Sequence, residues 1–175
     1  MNRPETAGEG IALIDRFSEL IGRAVSWLTF AMIFTTFFVV IARYVFGAGW
    51  IWIQESITWM HATVFMLGAA YTLRAGDHVR VDVFYKKLSA RGQALVDIGG
   101  TVLFLLPLCG FLLYESWFYV AQSWQIGESS RDAGGMRGVF LLKTLIPVAA
   151  GLLALQGLSE ILRAARRLRT APDRA

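Results

Sequence analysis

Residues 24–42 read AVSWLTFAMIFTTFFVVIA, a run of 19 residues without Asp, Glu, Lys or Arg. An α-helix rises about 1.5 Å per residue and a bilayer core is about 30 Å thick, so about 20 such residues cross a membrane. Three further runs of this kind follow, at residues 56–73, 98–114 and 144–159. The sequence therefore predicts an all-α membrane protein with four transmembrane helices, at about residues 24–46, 53–74, 95–119 and 139–162.

The composition agrees with a single membrane domain over residues 1–175. Hydrophobic residues make up 55% of the chain, aromatic residues 13%, and the mean hydropathy is +0.51. A soluble domain of this size would need a more polar surface. The first apolar run is interpreted as a retained span, because four acidic residues lie upstream and no small-residue cleavage site follows. These residues are Glu5, Glu9, Asp15 and Glu19.

The segment before the first span is amphipathic. Ile14, Phe17 and Ile21 recur at steps of three and four residues, whereas Arg16 and Arg23 fall on another face. This spacing predicts an N-terminal helix. Such a helix either lies in the membrane interface or extends the first span.

The basic residues predict the orientation. With four spans, both termini and the 75–91 loop lie on one side, which holds thirteen Lys and Arg residues against four on the other. The positive-inside rule then predicts cytoplasmic termini and a cytoplasmic loop between helices 2 and 3, with a short helix at residues 83–88. Basic segments beside anionic lipid also account for the pI of about 9.6, so no nucleic-acid partner is needed.

Several features predict how the spans pack. Gly99 and Gly100 favour close helix contact, and Pro107 favours a kink in the third span. The glycine-rich residues 127–138 predict an exposed periplasmic connection. Cys109 lies within the third span and is interpreted as a small packing residue, since a lone cysteine forms no intramolecular disulfide.

The spans contain few side chains that could bind a cofactor or catalyse a reaction. His61 is the only ionisable side chain well inside a span, and the other histidine, His78, lies in the 75–91 loop. A haem between helices commonly needs two histidines, so His61 is interpreted as a packed or interfacial residue. No metal-ligand set or catalytic set is visible, and we expect no cofactor. A homo-oligomeric channel would need a polar stripe along one span, and none is apparent.

Two stretches of the sequence resemble those of a known family. Residues 68–83, GAAYTLRAGDHVRVDV, are similar to the signature that ends the second helix in the small membrane subunit of tripartite ATP-independent periplasmic (TRAP) transporters. Residues 52–55, WIQE, resemble the Trp-x-Glu-Glu start of that helix, with Gln54 in place of the first glutamate. SWQIGESS at 123–130 and LKTLIP at 142–147 extend the resemblance, which covers about residues 43–163. Its signature residues are Trp52, Glu55, Arg74, Gly76, His78, Arg80 and Asp82.

The resemblance implies a function outside catalysis. In that family the small subunit pairs with a large permease subunit, which holds the substrate and ion sites, in the bacterial inner membrane. A periplasmic binding protein delivers the substrate, often a small organic acid. The chain is then a scaffold for ion-gradient-driven uptake, with its substrate-binding residues expected on the large subunit. The alternative is a four-helix membrane anchor or cytochrome-like subunit of a redox enzyme.

Charged residues near the outer span ends suggest two ion pairs. Arg43 is at the same predicted depth as Glu55, and Glu115 at the same depth as Lys143. Pairing lowers the cost of holding a carboxylate partly out of water. The alternative is that Arg43 and Lys143 extend to the headgroups while the glutamates face water or the partner.

Overall fold

The computed structural model describes residues 5–75, 85 and 87–170, with side chains described between residues 10 and 169. Helices account for nearly all of this part of the chain. They are α1 (Glu5–Tyr44), α2 (Ile51–Ala75), α3 (Ala90–Gly100), a π-helical turn (Thr101–Leu105), α4 (Leu106–Gln125) and α5 (Val139–Thr170). The π-helical turn joins α3 and α4 into one helical rod, Ala90–Gln125.

Among the residues that the structure describes, three helices are long and apolar enough to cross a membrane: Gly10–Tyr44, Ala90–Gln125 and Val139–Arg169. The all-α membrane class predicted from the sequence is therefore confirmed. Helix α2 has 25 residues, which is ample length, but threonines and His61 interrupt its apolar sequence. The structure thus supplies three clear candidate spans and one less apolar helix beside them.

Helix α1 resolves the alternative left open for the N-terminal segment. It runs without a break for 40 residues, from Glu5 through the amphipathic stretch into the first apolar run. The amphipathic segment therefore extends the first span as one helix. The segment packs through a face that mixes apolar and polar residues, since Ile11, Ser18 and Val25 are buried whereas Phe17 is exposed.

Helix α5 is the centre of the packing. It contacts α1, α2, α3 and α4, while α1 packs mainly along α2. Its buried face is built largely from small side chains, including Ala149, Ala150, Ser159 and Ala164. Small residues let helix backbones approach closely, which is the usual source of helix association in membranes.

The face of α4 that packs against α5 also consists of small side chains. Cys109, Ser116 and Ser123 are buried and recur at steps of seven residues, which keeps them on one side of the helix. Cys109 is 1% exposed, in agreement with its interpretation as a packing residue. These three small residues seat α4 against α5.

The π-helical turn lies where the sequence predicts a kink. Pro107 has no N–H to donate, and its ring crowds the preceding turn. The backbone widens just before it, and the Leu106 N–H bonds the Thr101 carbonyl five residues back. The π-helix is rare, and it occurs mostly as single turns of this kind within α-helices.

Close packing occurs at a glycine other than those predicted. A Cβ on Gly99 or Gly100 would meet no atom of the described residues within 4 Å, so these two glycines make no close helix contact within that part of the chain. A Cβ on Gly157 would instead lie 2.9 Å from Leu105 Cδ2 and 3.1 Å from Thr101 Cγ2. The widened π turn projects these side chains toward α5, which is why the glycine is needed on α5.

Candidate functional site

Polar side chains gather at two ends of the helices. The first set, here called the loop cluster, consists of Glu55, Ser123, Glu128, Ser130 and Lys143. Its members come from α2, α4, α5 and the 126–138 loop that joins α4 to α5. This loop was predicted to be an exposed connection, but Glu128 and Ser130 turn inward onto the helix ends.

Glu55 anchors the loop to the start of α2. Its carboxylate accepts a hydrogen bond from the Ser130 hydroxyl and another, of 2.5 Å, from the Met136 N–H. The loop is narrow here, because the Ser130 N–H also bonds the Met136 carbonyl at 2.9 Å. Gly135 is required for this approach, since a Cβ there would lie 2.5 Å from Ser130 Oγ and 2.8 Å from Glu55 Oε1.

Glu128 ties the same loop to α4 and α5. Its Oε2 pairs with the Lys143 ammonium and accepts a 2.6 Å hydrogen bond from the Ser123 hydroxyl. The Lys143 and Ser123 hydrogen bonds lower the pKa of Glu128 below its usual value of 4.5. The Lys143 ammonium also lies 4.0 Å from the centre of the Tyr119 ring, a cation–π contact.

These contacts differ from the two ion pairs predicted by depth. Lys143 pairs with Glu128 rather than Glu115, and Glu55 is held by a hydroxyl and a backbone N–H rather than by Arg43. Arg43 and Glu115 are both exposed. The loop folds over Glu55 and Lys143 and supplies nearer partners than those predicted from depth.

The second set, here called the terminal cluster, consists of Asp15, Ser18, Gln156, Ser159 and Arg163. It joins α1 to α5. Asp15 Oδ1 accepts hydrogen bonds from Arg163 Nη2 at 2.7 Å, from Gln156 Nε2 at 3.2 Å and from the Ser159 hydroxyl at 3.2 Å. The Ser18 hydroxyl donates to Gln156 Oε1 at 2.8 Å. Gln156 and Ser159 are 0% exposed, so this network is part of the core.

The terminal cluster was not predicted from the sequence, although the spacing of its α5 residues indicates it. Gln156, Ser159 and Arg163 are spaced at three and four residues and therefore share one face of α5. They form a short polar stripe on a predicted span, although the sequence was interpreted as having no such stripe. It faces Asp15 and Ser18 of α1 rather than a pore.

A further ion pair joins α1 to α2 beside this cluster. Arg74 Nη1 lies 2.9 Å from Glu19 Oε2, and Arg23 pairs with the other oxygen of the same carboxylate. Together with Asp15 and Arg163, these contacts bring the first turns of α1, the end of α2 and the end of α5 to the same level. The connection between α2 and α3 starts at this level as well.

The signature residues of the resemblance are spread over both ends. Trp52 is exposed at the start of α2, Glu55 belongs to the loop cluster, and Arg74 bonds Glu19. Gly76, His78, Arg80 and Asp82 lie outside the described residues, as do residues 83, 84 and 86 of the short helix predicted at 83–88. His61 is exposed on α2, with its ring stacked on Phe65 at a centroid distance of 6.5 Å.

Within the described residues, no group of three or more His, Cys, Asp or Glu side chains is arranged to hold a metal ion. Among the described residues, the polar contacts join helices of this chain to one another and to the 126–138 loop. Fold and contacts together define the class: an α-helical membrane protein whose polar groups fasten its helices and this loop.

Comparison with known families identifies the chain further. Residues 32–167 match the family model described as "Tripartite ATP-independent periplasmic transporters, DctQ component". The match covers most of the chain, which therefore belongs to this family and is a small membrane subunit of a TRAP transporter. It is a transporter component and not an enzyme. Comparison with individual curated proteins gives no match.

Proposed function

We propose that this chain scaffolds the large permease subunit of a TRAP transporter in the bacterial inner membrane. The large subunit carries the substrate and ion sites, and a periplasmic binding protein delivers a small organic acid. The observation that carries the proposal is the distribution of charge. The ion pairs of the described residues lie at two ends, where they fasten this chain's own helices. Transport pathways use polar groups at mid-depth, and the buried residues between these two ends are mostly small and apolar.

The outer surface of the helices supports contact with a partner or lipid. Large aromatic side chains are exposed along α1 and α4, and in a membrane only lipid or another protein covers them. On α1 they include Trp27, Phe30, Phe34 and Phe37, and on α4 Phe111, Tyr114, Trp117 and Phe118. A rigid helical unit with this surface is suited to extend the static part of a larger subunit.

We infer that α2 is the fourth membrane-crossing helix. At 25 residues it measures about 37 Å, enough for a bilayer core. It packs along α1 and α5, both of which are apolar enough to cross. Its two ends are held at opposite levels, by Glu55 in the loop cluster and by Arg74 beside the terminal cluster. A helix fixed at both levels crosses with its neighbours.

The inferred orientation places both termini in the cytoplasm. The thirteen-to-four distribution of Lys and Arg supports it through the positive-inside rule. The contacts of Asp15 with Arg163 and of Glu19 with Arg74 support a shared side for both termini and the α2–α3 connection. The loop cluster then faces the periplasm.

Cysteine accessibility tests this orientation. In a Cys109→Ala background, Ser129→Cys introduces a thiol at an exposed loop position outside the Glu55 contacts, and Ala90→Cys introduces one at the exposed start of α3. A membrane-impermeant thiol reagent added to spheroplasts should label Ser129→Cys alone. Labelling of Ala90→Cys alone would reverse the orientation. Labelling of both or of neither in unlysed spheroplasts would reject the four-span arrangement.

Co-purification tests the partnership. The tagged chain, co-expressed with the large permease subunit of its transporter, should elute with it at a fixed ratio in mild detergent. A tagged helical membrane protein from another family serves as the control. Purification of the chain free of the permease under these conditions would count against the scaffold. The redox-subunit alternative is not favoured by the family match.

A further inference from the structure

A groove runs between α1 and α2 on the surface of the helices. It encloses about 450 Å³ and is lined from α1 by Gly22 to Thr29 and from α2 by Val64 to Thr72. Two of the hydroxyls in its walls are used within their own helices, because Ser26 donates to the Arg23 carbonyl and Thr72 to the Gly68 carbonyl. Most of the remaining lining is apolar, including Val25, Val64, Phe65 and Ala69, so the groove presents mainly apolar surface. We call it the chain groove.

A second, polar depression adjoins it. It encloses about 370 Å³ and is lined by Asp15, Glu19, Tyr71, Arg74, Ala75 and Arg163. Two carboxylates and two guanidinium groups make its formal charge neutral. We call it the charged cleft.

Tyr71 lines both depressions and marks where they meet. Its ring packs directly on Gly22, where a Cβ would lie 2.5 Å from Tyr71 Cγ. The two depressions therefore adjoin at Tyr71, and on α1 the cleft residues Asp15 and Glu19 continue at steps of three and four into the groove residues Gly22 and Ser26, which places all four on one helix face. Apolar surface at membrane depth continues into paired charges at the end of the helices.

The charged cleft has unused bonding capacity among the described residues. All hydrogen bonds that these residues give to Asp15 fall on Oδ1, which leaves Oδ2 as an acceptor. Arg74 uses Nη1 for Glu19, and a guanidinium has five N–H donors in all. An anion beside Arg74 would accept hydrogen bonds from its remaining N–H donors. A cation with N–H groups beside Asp15 would donate to Oδ2.

We propose that the two depressions together hold one zwitterionic phospholipid whose headgroup carries a primary ammonium, as phosphatidylethanolamine does. One acyl chain lies in the chain groove, the phosphate accepts from Arg74, and the ammonium donates to Asp15 Oδ2. The balanced charge selects against an anionic lipid such as phosphatidylglycerol, whose headgroup has no ammonium to donate to Asp15 Oδ2. A quaternary ammonium has no N–H and cannot donate to the carboxylate.

The dimensions agree with one leaflet. Gly22 to Thr29 covers about 10 Å along α1, and Val64 to Thr72 about 12 Å along α2. Half of a bilayer core is about 15 Å. The chain groove thus extends from the level of the paired charges toward mid-membrane, where the end of an acyl chain belongs.

The test uses the full chain without the permease, delipidated in mild detergent. It is titrated with phosphatidylethanolamine, phosphatidylcholine or phosphatidylglycerol of identical acyl chains, and bound lipid is counted by native mass spectrometry. One phosphatidylethanolamine should bind in preference to the other two. Gly68→Leu should lower its affinity about tenfold or more by filling the groove, since a Cβ at Gly68 meets no atom within 4 Å and the fold should tolerate it.

Three further variants keep the result interpretable. Gly110→Leu makes the same substitution at an equally open helical glycine on α4 and should leave binding unchanged. Ser26→Leu fills the groove from the α1 wall and should act as Gly68→Leu does. Arg74→Gln should lower affinity by a similar factor, as expected for a lost charge-assisted hydrogen bond.

Equal or tighter binding of phosphatidylglycerol would overturn the headgroup assignment. Unchanged binding by Gly68→Leu and Ser26→Leu would overturn the groove. If these variants release co-expressed permease but keep the lipid, the groove receives a partner helix and the lipid assignment is wrong. Because lipid is measured without the permease, its failure leaves the scaffold proposal untouched.

Discussion

The buried amide of Gln156 gives the sharpest stability prediction. Its side chain is 0% exposed and joins Ser18 on α1 to Asp15 by one accepted and one donated hydrogen bond. Gln156→Leu keeps a similar volume but removes both bonds. The Ser18 hydroxyl, itself 3% exposed, is then left without that acceptor in the core.

The expected cost follows from these two bonds. Side-chain hydrogen bonds between membrane helices average about 0.6 kcal/mol each and reach about 1.7 kcal/mol. Two lost bonds therefore lower the free energy of unfolding by about 1 to 3 kcal/mol. Removing Ser18's hydroxyl as well should recover part of this loss, because two apolar partners leave no buried donor unpaired.

Unfolding by SDS in mixed micelles, followed by the fluorescence of the six tryptophans, measures the change. Gln122→Leu makes the same substitution at an exposed position of α4 and should leave the midpoint nearly unchanged. The reasoning is refuted if Gln156→Leu unfolds at the wild-type midpoint. It is also refuted if Ser18→Ala and Gln156→Leu lower stability additively, because the two residues would then not interact.

Three further predictions concern the loop cluster and the packing of α5. Because its hydrogen bonds lower the pKa of Glu128, that residue's stabilisation of the loop is present above pH 4.5 and is lost as the pH falls through the lowered pKa. Hydrogen exchange of loop peptides should show this loss, and Lys143→Gln should weaken the pH dependence. Glu55→Gln should speed hydrogen exchange of the same peptides at neutral pH, whereas Glu115→Gln should not. Equal exchange rates in both variants would show that Glu55 does not hold the loop. Gly157→Leu should lower the SDS unfolding midpoint, since even a Cβ there closely meets the side chains of Thr101 and Leu105 in the π-helical turn, and an unchanged midpoint would contradict that contact.

The helices were predictable because apolar runs report membrane depth directly. The run at 24–42 lies within α1, and Pro107 marks the position of the π-helical turn. The partners of Glu55 and Lys143 were not predictable in the same way. Depth is a one-dimensional quantity, whereas pairing depends on the path of the 126–138 loop, which is set by glycines and backbone hydrogen bonds.

The terminal cluster was missed for a related reason. Asp15 and Ser18 belong to a segment interpreted as amphipathic, and Gln156 lies in a run chosen for its lack of full charges. Each residue alone is ordinary at its position. Only the contact of α1 with α5 makes them one network, and that contact joins residues about 140 positions apart.

Reconstitution tests the central claim most directly. Proteoliposomes are prepared with the large permease subunit alone, with this chain alone, and with both, and receive the loaded periplasmic binding protein under an imposed ion gradient. The account predicts uptake of the delivered organic acid only when both membrane subunits are present, with equal permease content in the first and third preparations. Full uptake by the permease alone would contradict the scaffold, and uptake by this chain alone would show that it contains a transport site of its own.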